Sequence, residues 1–224
     1  MEQLLPVIEL LKKSFDAYLK KAWILIGTML FSFSGFLAML PSVVIGFLIS
    51  YVPFKNSNFD LNIILCDVLL LLAGFFLAII LGLWSQTAML CAVKEDSADF
   101  KKILLMAWPK IGSLFWVSFL AGLVIMGGSI LFIIPGIIFS VWFCLSTFVF
   151  IAEDLHGTSA LKRSKQLVEG YWWPVFGRLA VIGILCMLVS WVRVYGPIIN
   201  IFFMVPFALV YEYMLYQDLK RVKG

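Results

Sequence analysis

Glu153, Asp154 and His156 form a short stretch in which carboxylates and an imidazole come together. Two carboxylates beside the sole histidine could ligate a metal ion, or could serve an intramembrane enzyme if all three faced a pocket. Metal sites usually need more fixed ligands than these. The glycine that follows, Gly157, favours the alternative, a solvated turn at the entrance to a helix.

Other catalytic signatures are missing from the sequence. The four cysteines, Cys66, Cys91, Cys144 and Cys186, lie singly in apolar stretches without a C-x-x-C or metal-ligand spacing, which predicts buried structural thiols. There is no zinc-protease, serine-hydrolase, phosphate-loop or dinucleotide motif. We therefore expect a protein that is not an enzyme and that carries no cofactor or metal.

Four ionisable residues lie within or at the ends of apolar stretches, where burying a charge in lipid is costly. Asp67 and Arg193 fall toward one end of the predicted spans, and Arg178 and Glu212 toward the other. We expect each pair to form an interhelical ion pair. The alternative is that each side chain reaches its own membrane interface separately. Their absence from the predicted midplane counts against an ion-coupled transporter.

Basic residues supply the remaining chemistry. Lys162, Arg163 and Lys165 lie within four positions of one another, and Arg178 follows a short distance along the chain. Such a group contacts the phosphates of anionic lipid headgroups or an acidic partner protein. The net charge is +4, but the basic residues flank apolar stretches, so we expect membrane lipids and no nucleic acid.

The composition shows which elements must position these residues. The chain has 224 residues, of which 63% are hydrophobic and 13% charged, and its mean hydropathy is +1.05. Soluble proteins carry about 25% charged residues. Apolar runs of about 20 residues can cross a bilayer, which predicts an all-α integral membrane bundle of six transmembrane helices. The predicted spans are 22–52, 61–93, 111–134, 137–152, 175–192 and 197–216, with a tight external turn at Pro135–Gly136.

The distribution of lysine and arginine predicts the topology. In the six-span layout every such residue except Lys55 and Arg193 falls on one side of the membrane. Cytoplasmic segments carry the excess of basic residues, so both termini are predicted to be cytoplasmic. Residues 4–20 and 158–170 each combine an apolar stripe with a lysine-rich face, which predicts short amphipathic helices at the cytoplasmic interface.

A sequence signature recurs along the chain. Residues 11–27 and 161–177 both contain Leu, two basic residues and Ser, then Trp nine positions after the Ser and Gly four positions after the Trp. Residues 101–112 keep the basic pair and the step from Trp to Gly. This pattern favours three pseudo-repeats, each an interfacial helix followed by a hairpin of two spans. The alternative is that any basic helix entering a membrane acquires Lys or Arg and then Trp.

Residues 134–177 contain I-P-G-I-I, E-D-L-H-G, A-L-K-R-S and Q-L-V-E-G-Y-W-W-P-V-F-G. This stretch resembles the bacterial and archaeal proteins known as the membrane domain of glycerophosphoryl diester phosphodiesterases, together with their uncharacterised polytopic relatives. The resemblance is carried by Pro135, Gly136, Glu153, Gly157, Ala160, Leu161, Arg163, Ser164, Gly170 and Trp173. In that family the phosphodiesterase chemistry belongs to a separate soluble domain, so the resemblance implies a membrane module without the enzyme, in the plasma membrane of a prokaryote.

These observations predict a non-catalytic polytopic membrane module that organises lipids or a partner protein at the cytoplasmic face. Lys162, Arg163, Lys165 and Arg178 are the expected contacts to headgroups or to that partner. A small permease or lipid transporter with a cavity among the spans is the alternative. The sequence carries no signal for the oligomeric state.

Overall fold

The computed structural model of this chain describes residues 4–37, 40–41, 43–45, 61–95, 99–193 and 195–223. All the elements assigned in these ranges are helical. In chain order they are α1 (Val7–Leu37), α2 (Leu61–Lys94), α3 (Phe100–Ala107), α4 (Ile111–Leu131), α5 (Ile133–Phe143), α6 (Ser146–Glu153), α7 (Thr158–Val168), α8 (Trp172–Ser190), α9 (Gly196–Ile199) and α10 (Val205–Lys223). A 3₁₀ turn (Trp108–Lys110) joins α3 to α4, and a π-helical turn (Asn200–Met204) joins α9 to α10.

The helices have the lengths and surfaces of membrane spans. Five stretches in the described ranges are long and apolar enough to cross a bilayer: Val68–Lys94, Phe100–Ile130, Ile133–Glu153, Trp172–Ser190 and Gly196–Lys223. Large apolar side chains such as Phe76, Ile130 and Met187 are exposed on their outer faces. Exposed apolar surface on this scale is typical of a multi-pass membrane protein. The first predicted span, 22–52, lies partly outside the described residues.

Neighbouring helices pack antiparallel. The Ser85 hydroxyl of α2 donates a hydrogen bond of 2.6 Å to the carbonyl of Thr28 in α1, and Lys21 of α1 lies beside Val93 of α2. These contacts show that α1 and α2 run in opposite directions. Helix α10 also packs against α1, where Phe207 contacts the ring of Tyr18 edge-on.

The hairpin between α4 and α5 turns at Phe132, whose backbone is extended, and not at Pro135–Gly136 as the sequence predicted. Pro135 lies in the first turn of α5, where its missing N–H has no helical partner to lose. Gly136 lies against Ser129 of α4, so a Cβ at position 136 would collide with that residue. Small residues therefore let the two helices approach closely, and the chain reverses at a single residue.

The first predicted interfacial helix is not separated from its span. Helix α1 runs without interruption through residues 20–22, where the sequence predicted a boundary between the helix at 4–20 and the span at 22–52. The second amphipathic segment differs, because α7 ends at Val168 and α8 begins at Trp172. Gly170 lies in the break with a φ of +84°.

The buried core lies toward one end of the bundle. Residues 88–93 of α2 and 148–151 of α6 are buried continuously, and Tyr211, Leu215 and Tyr216 of α10 are buried against them. This end also holds Lys21, Lys94, Arg163, Lys220 and Lys223, and it is called the basic end below.

Candidate functional site

At the basic end, lysines bind the carbonyl groups at the ends of neighbouring helices. The Lys21 ammonium of α1 donates to the carbonyls of Val93 and Glu95 at the end of α2, at 2.8 and 2.7 Å. Lys94 of α2 donates at 2.9 Å to the carbonyl of Ile151 in the last turn of α6. The last carbonyls of a helix lack intrahelical partners and carry partial negative charge. Each lysine therefore satisfies such groups and joins one helix to the next.

The last helix repeats this arrangement. Lys223 of α10 donates at 2.6 Å to the carbonyl of Gln166 and also to the carbonyl of Glu169, both at the end of α7. Its ammonium lies 5.8 Å from the ring centroid of Tyr171, within cation–π range. Basic residues that predict topology by their number thus also hold the basic end together.

Glu153 is the carboxylate that joins α6, α7 and α10. Its Oε1 accepts a hydrogen bond of 2.8 Å from the Tyr216 hydroxyl and lies 3.1 Å from the Lys220 ammonium. Its Oε2 accepts a hydrogen bond of 3.2 Å from Nε of Arg163. The Glu153 side chain is 14% exposed, so these contacts balance a largely buried charge.

The other two residues of the predicted acidic turn, Asp154 and His156, have surroundings different from those of Glu153. Asp154 adopts a left-handed conformation with a φ of +56° and ends α6. The His156 ring packs edge-on against Phe150, with 5.2 Å between centroids. In the described ranges no three His, Cys, Asp or Glu side chains lie close enough together to hold a metal ion.

The cysteines occupy separate places in the bundle. Cys91 is buried in α2, Cys144 and Cys186 are half-buried, and Cys66 is exposed on the outer face of α2. The exposed position of Cys66 differs from the structural thiol that the sequence predicted for all four.

The main chain of Leu5 is held between two buried charges. Its N–H donates at 2.8 Å to the Asp218 carboxylate, and its carbonyl accepts a hydrogen bond of 2.6 Å from Nη2 of Arg178. Arg178 also donates through Nη1 to the carbonyl of Pro174 at 3.0 Å, and Asp218 accepts from Arg221 at 2.7 Å. Arg178 is only 8% exposed. The N-terminal segment is therefore anchored to both α8 and α10.

The structure does not bring Arg178 and Glu212 together as the predicted ion pair. The ion pairs within the described ranges are Glu9–Lys13, Glu153–Arg163, Glu153–Lys220 and Asp218–Arg221. The Arg178 guanidinium donates hydrogen bonds to main-chain carbonyls instead. For the other predicted pair, Arg193 is exposed in the turn after α8, and the side chain of Asp67 lies outside the described part of the molecule. That pair stays a prediction.

The four predicted headgroup contacts lie in different environments. Lys162 is exposed on the outer face of α7, whereas the Lys165 ammonium lies over the Trp142 ring, 4.5 Å from its centroid. Arg163 is bound to Glu153, and Arg178 is buried. Of the four, Lys162 is therefore the one that presents its charge fully to the surroundings.

A different basic site lies between α1, the end of α2 and α10. Here the helices leave a groove of about 440 Å³. Its charged lining comprises Lys13, Lys20, Lys21, Lys94 and one carboxylate, Asp16. Sequence reasoning missed this site because its lysines come from two helices that meet only in the folded bundle. The available signal was the pair Lys20–Lys21 at the end of the predicted amphipathic stripe.

No protein-family model, curated protein or solved structure matches this chain significantly. The family resemblance of residues 134–177 therefore stays a prediction.

Several residues that carry the resemblance have direct structural roles. The Ser164 hydroxyl donates at 2.7 Å to the carbonyl of Trp142, which joins α7 to α5. Gly157 has a φ of +55° and lies against the Trp116 ring. Gly170 also has a positive φ and interrupts the helical conformation between α7 and α8. These positions shape the turn and the path of α7.

Two further residues of the resemblance face opposite environments. Leu161 is buried on the inner face of α7, and Trp173 is 74% exposed at the start of α8. An exposed tryptophan beside basic residues is typical of the headgroup level of a membrane.

Proposed function

We propose that this chain is a non-catalytic polytopic membrane module that spans the membrane six times and organises anionic lipids at its cytoplasmic face. In this arrangement both termini and the basic end lie on the cytoplasmic side. The observation that carries the proposal is a set of exposed lysines whose ammonium groups make no hydrogen bond or ion pair within the described ranges. They are Lys12, Lys20, Lys101, Lys102 and Lys162.

The contrast with the other cations supports this reading. Lys21, Lys94 and Lys223 are occupied by helix-terminal carbonyls, and Arg163 and Lys220 by Glu153. A cation with a partner inside the bundle contributes to the fold. An exposed cation without such a partner adds only to the surface potential, which attracts anionic lipid.

The magnitude is sufficient for lipid sorting. Each lysine near an anionic membrane surface contributes about 1 kcal/mol of attraction, and salt screens this contribution. Five such lysines on one face would therefore enrich anionic lipids around the basic end.

Co-purification of lipids tests the proposal. The five exposed lysines would be replaced together by glutamine, and the protein would be extracted with its bound lipid. Mass spectrometry then gives the ratio of phosphatidylglycerol to phosphatidylethanolamine relative to the membrane extract. We expect enrichment of phosphatidylglycerol around the unsubstituted chain and its loss in the fivefold variant.

The matched control replaces the same five lysines by arginine, which keeps the charge. The arginine variant should retain the enrichment of phosphatidylglycerol. If the unsubstituted chain shows no enrichment, or if the glutamine variant keeps it, the proposed function is wrong. Capture of a single protein partner instead of lipid would favour the partner-binding alternative.

A further inference from the structure

We propose that the groove between α1 and α10 binds the phosphate group of one anionic phospholipid. This inference rests on the proposed function and specifies a single site for it. The groove is lined by four lysines and one carboxylate, so its formal charge strongly favours an anion. Charge-assisted hydrogen bonds from ammonium groups to phosphate oxygens are stronger than those between neutral groups.

Two of the lysines are held in place before any ligand binds. Lys21 donates to the main-chain carbonyls of Val93 and Glu95, and Lys94 donates to that of Ile151. Because their side chains are already ordered by these bonds, binding an anion costs less conformational entropy.

The other two lysines complete the wall from one face of α1. Lys13 and Lys20 are seven positions apart, which places them on the same side of a helix about two turns apart. Lys13 pairs with Glu9 at 2.9 Å, but both side chains are about half exposed. Such an exposed pair is worth little, so Lys13 can turn to a phosphate in the groove.

The shape and floor of the groove favour a lipid over a free anion. Its volume of about 440 Å³ lies within the range of roughly 300–1,000 Å³ that is typical of small-molecule sites. Ala17, Val210 and Met214 add apolar surface to the same lining. A phospholipid can place its phosphate among the lysines and its glycerol and first methylenes on this apolar surface, which inorganic phosphate leaves uncovered.

The position of the groove along α1 fits a headgroup. Lys20 is followed directly on the outer face of α1 by Trp23, which is 88% exposed, and then by exposed apolar residues such as Leu30. Tryptophan is enriched at the headgroup level of membranes. The change from basic to apolar surface therefore occurs beside the groove, where a lipid phosphate would lie.

Binding of phosphatidylglycerol to the full chain in a neutral detergent, followed by native mass spectrometry, tests this site. The groove variant is Lys13→Gln with Lys20→Gln, and the control is Lys110→Gln with Arg193→Gln, which removes the same charge outside the groove and spares the other exposed lysines. We expect the groove variant to bind the first phosphatidylglycerol about 25-fold more weakly, since each lysine beside a headgroup phosphate accounts for about fivefold in affinity. The control should stay within about twofold.

Four further results decide the proposal. Lys20→Arg keeps the charge and should bind within about twofold of the unsubstituted chain. Equal losses in the groove and control variants would overturn the site while leaving the proposed function intact, provided that phosphatidylglycerol is still preferred over phosphatidylcholine. Loss of that preference in the unsubstituted chain overturns the function itself. Displacement of the lipid by millimolar inorganic phosphate would identify a soluble-anion site and contradict the lipid assignment.

Discussion

The two stretches with the shared signature, 11–27 and 161–177, bury corresponding positions but follow different paths. At an offset of 150 residues, five positions are buried in both stretches and their flanks. The pairs are Leu10 and Ala160, Ser14 and Ser164, Tyr18 and Val168, Leu25 and Val175, and Thr28 and Arg178. The same sequence pattern therefore presents the same helix face to the core at both places.

The paths differ where Lys20 corresponds to Gly170. Lys20 lies inside the continuous helix α1, whereas Gly170 has a φ of +84° and separates α7 from α8. A left-handed backbone favours glycine because other residues pay a steric cost there. Lys223 donates to the carbonyls exposed by this break.

The difference shows how one pattern serves two purposes. The break at Gly170 follows the end of α7, and Arg163 of this helix binds Glu153 of α6, so a basic residue of this copy holds two helices together. The uninterrupted helix of the first copy leaves Lys20 exposed beside the groove. In the second copy Arg163 is used within the fold, and in the first Lys20 remains accessible to a ligand.

Substitutions at the corresponding positions Thr28 and Arg178 should differ most in their effect on the free energy of unfolding. Arg178→Met removes the charged donor that binds the carbonyls of Leu5 and Pro174, and we expect a loss of about 3 kcal/mol in the free energy of unfolding. Thr28→Val removes only a bond to Leu25 of the same helix, so the loss should stay below about 1 kcal/mol. Unfolding by sodium dodecyl sulfate in mixed micelles measures both, and equal losses would contradict the comparison.

Substitutions at Gly170 and at the corresponding Lys20 should have the next largest effect on the free energy of unfolding. Gly170→Ala puts a Cβ into a left-handed backbone and should cost about 1–2 kcal/mol of unfolding free energy. No neighbouring atom obstructs that Cβ, so the cost would come from the backbone alone.

Lys20→Gly in the continuous helix should cost about 1 kcal/mol. Trypsin should cleave after Lys21 faster in the Lys20→Gly variant than in the unsubstituted chain, because the helix there is weaker. An unchanged cleavage rate would show that the helix does not depend on the residue at position 20.

The two buried serines should give the smallest effects, and of the two substitutions only Ser164→Ala should destabilise the fold. The Ser164 hydroxyl donates to the carbonyl of Trp142, so Ser164→Ala should lower the free energy of unfolding by about 1 kcal/mol. The Ser14 hydroxyl is buried with no partner in the described part of the chain, so Ser14→Ala should be neutral or stabilising by up to about 1 kcal/mol. Thermal unfolding followed by circular dichroism checks the signs, and a destabilised Ser14→Ala variant would show an unrecognised partner.

The sequence predicted the features that a membrane imposes on any chain. Backbone groups in lipid must bond internally, so long apolar stretches form helices whatever their neighbours are. The helical character of 61–93, 175–192 and 197–216 follows from this constraint, since α2, α8 and α10 cover most of these ranges. The break near Gly170 was also readable, because glycine commonly ends a helix.

Contacts between distant residues could not be read from the sequence. Arg178 was expected to pair with Glu212, but its guanidinium binds the carbonyl of Leu5, which is 173 positions away. Lys21 binds the end of α2 more than 70 positions away, and the groove depends on that approach. The turn at Phe132 was missed because proline and glycine at 135–136 predict a turn equally well when they lie at the start of the next helix.

A charge-matched exchange tests the central claim, that the cations of the basic end divide into those that hold the fold and those that contact lipid. One variant replaces Arg163, Lys220 and Lys223 by glutamine, and the other replaces Lys12, Lys20 and Lys162. Unfolding free energy and phosphatidylglycerol enrichment are measured for both. We expect the first variant to lose about 2 kcal/mol of stability and keep its enrichment, and the second to keep its stability and lose enrichment. Equal changes in both quantities for the two variants would contradict the account.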